Sequence, residues 1–159
     1  MLTILGIGTG EFSSLTIQGY ELLTSGGTIV LQTDRIPLAQ ELMRRGITFC
    51  SLDACYEQAE DFEEFQELAL EYLEKQKDAL LCILGDLYTN TLVQALLRRC
   101  EAQLIPGVGL GSEALSICAA ELGEGQALCC PAYDFAQAEY TGSGSLVITE
   151  VDSPYLAAE

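Results

Sequence analysis

The chain opens on a strand that breaks directly into alternating glycines, and nothing else in the sequence constrains the fold as much. Leu2-Thr3-Ile4-Leu5 is an apolar run of strand length, Gly6-Ile7-Gly8-Thr9-Gly10 follows at once, and Leu15 to Leu23 has helical periodicity. Strand, glycine turn and helix, in that order, bring backbone N–H groups close to a ligand at the carboxyl edge of a sheet. The spacing is G-x-G-x-G, not the G-x-G-x-x-G of a dinucleotide pyrophosphate site. By itself the motif fits a ligand cradle and a plain tight turn equally well.

The rest of the chain repeats this alternation. Thr28 to Leu31 is a β-branched strand after Gly26-Gly27, and Pro37 to Arg45 is a helix with proline in its first turn and Gly46 past its end. Ile47 to Leu52 reads as a strand. Asp61 to Lys77 reads as a long helix with Phe62, Phe65, Leu68, Ala69, Tyr72 and Leu73 on one stripe and glutamates on the solvated side. Ala79 to Leu84 is apolar throughout, the pattern of a parallel strand covered on both faces. A helix from Thr89 to Arg99, a short strand from Gln103 to Ile105, and a helix capped by Ser112 and closed by Gly123 complete the pattern. The expected fold is α/β, a mostly parallel, doubly wound sheet of five strands with right-handed crossovers.

Beyond Gly123 the periodicity fades. We expect an α/β subdomain over residues 1–123, an irregular segment and Gly/Ser linker over 124–145 with a short strand at Ala127 to Cys130, and the start of a second subdomain over 146–159. That start is a strand, Leu146 to Val151, and a helical turn at Ser153-Pro154.

Charge and cysteines narrow the chemistry. The 159 residues carry 24 acids against 7 lysines and arginines, a formal charge of -17, which argues against nucleic acid or an anionic membrane as partner. The chain has no histidine, so Ser-His-Asp and Cys-His catalysis are excluded and no mixed zinc site is available. The 7 cysteines form no C-x-x-C, and Cys129 and Cys130, as strand neighbours, point to opposite faces. We expect buried, reduced thiols without metal and a cytoplasmic location.

Glycine turns follow three of the strands: Gly6 to Gly10, Gly85-Asp86, and Pro106 to Gly111. In a parallel sheet all three fall on the carboxyl edge, where ligands of open α/β folds bind. Asp86 is the acid at these turns besides Glu11. It is suited both to accepting hydrogen bonds from a ligand and to capping the next helix.

G-I-G-T-G after the first strand, L-G-D-L-Y-T after the fourth and I-P-G-V-G-L-G-S after the fifth resemble the turns of the tetrapyrrole (corrin/porphyrin) methylase superfamily, which run G-x-G-P-G, G-D-P and P-G-V-S-S. The stretch from Gly46-Ile47-Thr48-Phe49 through Leu52-Asp53 and Tyr56-Glu57 to Phe62-Glu63-Glu64 is similar to the methylase-like N-terminal domain fused to MazG-type pyrophosphohydrolase modules. Leu146 to Asp152 resembles the first strand of the superfamily's second subdomain.

The resemblance implies an S-adenosylmethionine site between two α/β subdomains. Carried over by position, Thr9 and Gly10, then Gly85, Asp86 and Thr89, then Gly109 and Leu110 line it; no catalytic residue is named and no metal is implied. Thr9 and Leu87 stand where the family has prolines, and Gly109 where it has serine. The resemblance further implies a fragment of a longer MazG-type protein, inactive alone, and a half-cleft with an exposed apolar edge is expected to form a homodimer. Two other classes remain: an α/β interaction module that has lost its site, and a flavodoxin-like nucleotide binder. The second lacks a phosphate loop with Lys or successive Ser/Thr.

Overall fold

Ala79–Ile83 is buried at every position, as a strand covered on both faces must be. In the computed structural model, which describes residues 1–76, 78–119, 126–135 and 144–149, this strand (β4) lies at the centre of a parallel sheet. With β1 (Leu2–Gly6), β2 (Thr28–Leu31), β3 (Cys50–Ser51) and β5 (Ala102–Ile105) it forms the order β3-β2-β4-β1-β5. β4 pairs with β1 on one side and β2 on the other, and β5 pairs with β1 at the edge.

Successive strand residues feed opposite faces, so the sheet has two cores. Ile4, Val30, Leu81 and Ile83 pack with Phe65, Ala69 and Leu73 of α4 (Phe62–Glu74) and with Leu92, Val93 and Leu96 of α5 (Thr91–Arg99). Leu5, Ile29, Leu31 and Cys82 pack on the other face with Leu23 of α1 (Ile17–Thr24) and with Leu38, Ala39 and Leu42 of α2 (Pro37–Arg44). The doubly wound parallel sheet anticipated from periodicity is therefore the fold.

Local differences have local causes. The third strand is only two residues long, Cys50 and Ser51 pairing with Val30 and Leu31 of β2 at the sheet edge. The chain then enters a helix that periodicity did not show, α3 (Asp53–Gln58), whose length leaves room for little more than a turn and a half of pattern. Phe62 is exposed rather than part of the apolar stripe. The thiols are less uniform than expected: Cys82 and Cys130 are buried, whereas Cys50, Cys118 and Cys129 are exposed.

The chain divides into two compact units, Met1–Gly109 and Leu110–Glu159. In the second, α6 (Leu110–Ile117) begins before Ser112, so Ser112 is not its N-cap; its carbonyl accepts instead from the Ser116 hydroxyl. The physical reason is Gly111, whose missing side chain leaves room for the Cys129 sulfur of β6 (Gln126–Pro131), so the helix runs through this glycine. β6 pairs in parallel with β7 (Gly144–Thr149), and α7 (Ala132–Phe135) follows β6. The helix thus belongs with the strand pair rather than with the subdomain of residues 1–123, and β6 is the short strand expected at Ala127 to Cys130, one residue longer at each end. The expected helix start at Ser153-Pro154 lies outside the described residues.

Candidate functional site

The site is built from backbone contact between turns. After β1, Ile7 N–H donates to the Ile83 carbonyl at 2.9 Å, extending the β1–β4 pairing one residue past the strand. Gly8 then turns with φ 57, and Gly85, with φ 70, donates its N–H to the Gly8 carbonyl at 2.8 Å, so the first and fourth turns are bridged. The fifth turn is pressed against the first: a Cβ on Gly107 would lie 2.1 Å from the Gly6 carbonyl oxygen, and one on Gly8 would lie 2.6 Å from the Val108 carbonyl oxygen. Only glycine permits main chains to approach so closely. All three glycine turns therefore converge at one edge of the first unit's sheet.

Topology marks the same place. The chain leaves β1 toward β2 through α1 on one face and leaves β4 toward β5 through α5 on the other, while β1 and β4 are neighbours. Adjacent strands whose connections diverge open a crevice at their carboxyl ends, where ligands of open α/β sheets bind. A cleft of ≈ 620 Å³ borders it, lined by Gly85, Asp86, Leu87, Leu97, Leu104 and Gly107 among others.

Asp86 projects into this constellation half-buried, and among the described residues no hydrogen bond or ion pair reaches its carboxylate. The capping alternative falls away: α5 is capped by Asn90, whose side chain accepts from Val93 N–H at 3.2 Å. Gly109 stands against the carboxylate, since a Cβ there would be 2.2 Å from Asp86 Oδ1. Thr89 acts within the turn, its hydroxyl donating to the Asp86 carbonyl at 3.3 Å.

The remaining expected residues are placed differently. Thr9, in the proline position of the resemblance, shares a hydrogen bond with Ser14 at 3.1 Å. Gly10 faces inward: its carbonyl accepts from Leu38 N–H at 2.8 Å, and a Cβ would strike Leu84 at 2.9 Å and Ile36 at 3.3 Å. Its glycine character is explained by packing. Leu110 opens α6 in the second unit.

Two glutamines hold the fourth turn where the resemblance has a proline. Gln32, at the end of β2, accepts from Leu84 N–H through Oε1 at 3.1 Å, and Gln94 Nε2 of α5 donates to the Tyr88 carbonyl at 3.0 Å. The sequence signal for Gln32 was a polar residue directly after an apolar strand, on the edge where the glycine turns gather. Gln32→Leu leaves the part-buried Leu84 donor unpaired, an effect of about 1–3 kcal/mol on stability. Gln32→Glu keeps the acceptor. Hydrogen exchange at the Leu84 amide is expected to accelerate in the leucine variant and stay near wild type in the glutamate variant.

At the carboxyl ends of β2 and β3 a second polar cluster braces the edge. Asp53 accepts from the Thr33 hydroxyl at 2.8 Å and from Asp34 N–H at 2.7 Å. Burial works against its ionised form, but these bonds and the Ser51 hydroxyl outweigh it, so the carboxyl titrates below its ordinary value of 3.8. A depressed carboxyl stabilises the fold above its unfolded-state pKa, and that contribution is lost as pH falls through the folded-state value. Denaturant unfolding followed from neutral pH downward is thus expected to show a shallower acid loss in Asp53→Asn than in the wild type.

With this geometry in view, the comparisons with known proteins are informative. The profile of the family described as Tetrapyrrole (Corrin/Porphyrin) Methylases matches residues 1–132. Among solved structures, the chain is similar to the cobalt precorrin-4 methyltransferase CbiF (TM-score 0.55, 20% identity, 82% of this chain and 56% of that one). It is similar to the putative cobalamin synthesis related protein CobF of Corynebacterium diphtheriae (TM-score 0.61, 15% identity, 93% and 71%). It also resembles the uroporphyrin-III-C-methyltransferase of Thermus thermophilus (TM-score 0.56, 18% identity, 85% and 61%). In sequence it is 29% identical over 106 residues to the uncharacterized protein YabN of Bacillus subtilis strain 168, spanning 64% of this chain and 22% of that protein. The chain thus covers about a fifth of that curated relative and little more than half of two of the structures. On the profile match, which takes in both the converging glycine turns and the sheet that carries them, the chain belongs to the tetrapyrrole (corrin/porphyrin) methylase family.

Proposed function

We propose that the carboxyl edge of the first unit is one wall of an S-adenosylmethionine site, and that the chain is the methylase-like part of a longer, MazG-type protein, inactive by itself. The observation that carries the reading is Asp86, a half-buried carboxylate that no hydrogen bond or ion pair reaches among the described residues, where three glycine turns meet. A carboxylate so placed is suited to a ligand amine or hydroxyl, because a charge-assisted hydrogen bond offsets the loss of hydration. The glycine contacts supply the second requirement, main chain close enough to a ligand for its N–H and C=O groups to act as the recognition surface.

Bound there, the sulfonium would supply an already activated methyl group. The chain's residues then need only to bind, orient and exclude water, which suits an edge without histidine. Asp86 binds; Gln32, Gln94 and Thr89 keep its turn in shape; Leu87, Leu97 and Leu104 contribute apolar wall.

The competing reading, a fold kept as an interaction module after loss of its site, draws on Thr9, Leu87 and Gly109 in place of the family's residues. The hydrogen bonds of Thr9 and of the two glutamines favour the first reading, since they restrain the turns that proline would otherwise stiffen.

Calorimetric titration of S-adenosylmethionine and S-adenosylhomocysteine into this chain and into the longer protein tests the proposal. Weak or no heat is expected for the chain alone and saturable binding for the longer protein. In the latter, Gly109→Ala is expected to weaken binding roughly tenfold with little change in melting temperature, because the neighbour it displaces is the movable end of a side chain. Absence of binding by the longer protein sinks the reading.

A further inference from the structure

The cations of this chain are distributed against one class of ligand. Every lysine and arginine lies at or before Arg99, so the second unit contributes none. In a parallel sheet each connecting helix returns the chain to the amino edge. Arg44 ends α2, Lys75 caps α4, and Arg98 and Arg99 end α5, all on the edge opposite the glycine turns; Arg45, the C-cap of α2, has its guanidinium 4.1 Å from the centre of the Phe12 ring, where it stacks on an apolar face. Lys77 stands just before β4 in sequence and lies outside the described residues. Several of these bases are already engaged, Arg45 with Glu41 at 2.7 Å and Arg99 with Glu67 at 2.8 Å.

On the carboxyl edge, among the described residues, the base is Arg35. It pairs with Glu57 at 3.0 Å, and it shares this edge with Glu11, Asp34, Asp53 and Asp86, each in a segment that follows a strand. The Arg35–Glu57 pair is exposed on both sides and is worth less than about 1 kcal/mol, so Arg35 is free to turn toward a ligand. One guanidinium still faces an excess of carboxylates on an edge whose neighbouring strands stand ~4.8 Å apart, inside the Debye length of ~8 Å at physiological ionic strength.

On the reading that this edge transfers methyl groups, we infer that its acceptor is an uncharged or cationic molecule and not a carboxylate-bearing macrocycle. Recognition of a macrocycle rimmed by carboxylates calls for arginine forks or lysines around the rim, because each carboxylate leaves water on binding. Glycine-turn N–H groups can hold one such carboxylate. They cannot neutralise a whole rim against the field of Asp34, Asp53 and Asp86. Membership of a family described by tetrapyrroles therefore does not carry a tetrapyrrole acceptor to this chain; the edge that would bind it has the wrong sign.

The test uses two macrocycles of similar size and opposite rim charge, uroporphyrin I, an octacarboxylate, and a porphyrin bearing N-methylpyridinium groups. Each is titrated by fluorescence into the 159-residue chain and into the longer protein at low and physiological ionic strength. Uroporphyrin I is expected not to bind. The cationic porphyrin is expected to bind and to weaken on the order of tenfold with added salt. Asp86→Asn is expected to weaken it several-fold, whereas Glu101→Gln, directly before β5 on the opposite edge, is expected to leave it unchanged. Salt-sensitive binding of uroporphyrin I overturns the inference. So does failure of both macrocycles to bind, or an equal effect of the two substitutions, which would reveal only general attraction to an acidic chain. S-adenosylmethionine is titrated in the same solutions. Loss of its binding with the charge preference intact would sink the methyl-donor reading alone.

Discussion

Gly107→Ala is expected to destabilise the first unit by about 3–5 kcal/mol, the range in which core disruptions become diagnostic. The added Cβ would lie 2.1 Å from the carbonyl oxygen of Gly6 and 2.5 Å from its carbonyl carbon. Both neighbours are main chain, and Gly6 is the last residue of β1, a strand held by β4 on one side and β5 on the other. No rotamer change relieves the clash, so the turn after β5 must move away from β1. Chemical denaturation with circular dichroism measures the loss. Gly46→Ala provides the comparison: φ is 71 there, but no atom lies within 4 Å of the new methyl, so only the backbone conformation resists, at about 1 kcal/mol. Equal effects from the two variants would mean that the glycine turns are not in contact as described.

Asp86→Ala is expected to have the second large effect, on binding and not on stability. On the function proposed above, it would remove from the longer protein a charge-assisted hydrogen bond to the ligand, a loss of about 1.5–3 kcal/mol in S-adenosylmethionine affinity. The melting temperature is expected to stay near wild type, because the carboxylate has no hydrogen-bond partner among the described residues and Asn90 caps α5. Gly85→Val is expected to be worse, since φ 70 strains a β-branched residue and the turn would lose its bridge to Gly8. An unchanged affinity with a lowered melting temperature in Asp86→Ala would assign the residue to the fold and remove the support for the methyl-donor site.

How much of this was legible beforehand depends on the range of the forces involved. Ala79–Ile83 was readable because burial on both faces demands a continuous apolar run, and Pro37–Arg44 because proline and glycine mark helix ends through local sterics. The short helix Asp53–Gln58 was not, because six residues hold too little pattern, and the start of Leu110–Ile117 lies earlier than the sequence suggests, because glycine disfavours helix locally while tertiary packing sets Gly111 inside the helix against the Cys129 sulfur. At the site, the sequence offered the glycines and Asp86 but not their purposes. Gly10 and Gly8 look alike in G-x-G-x-G; one packs against Ile36 and Leu84, the other faces the Val108 carbonyl.

What the sequence alone determined is therefore what local energetics decides: the alternation of strand and helix, the glycine turns behind three strands, the absence of histidine and the acidic balance. Which turns touch, that Asn90 and not Asp86 caps α5, and that Gln32 reaches Leu84 across 52 positions were decided by tertiary structure. Those facts arise from strand order and sheet register, which bring distant residues within hydrogen-bond distance and which no short window of sequence encodes.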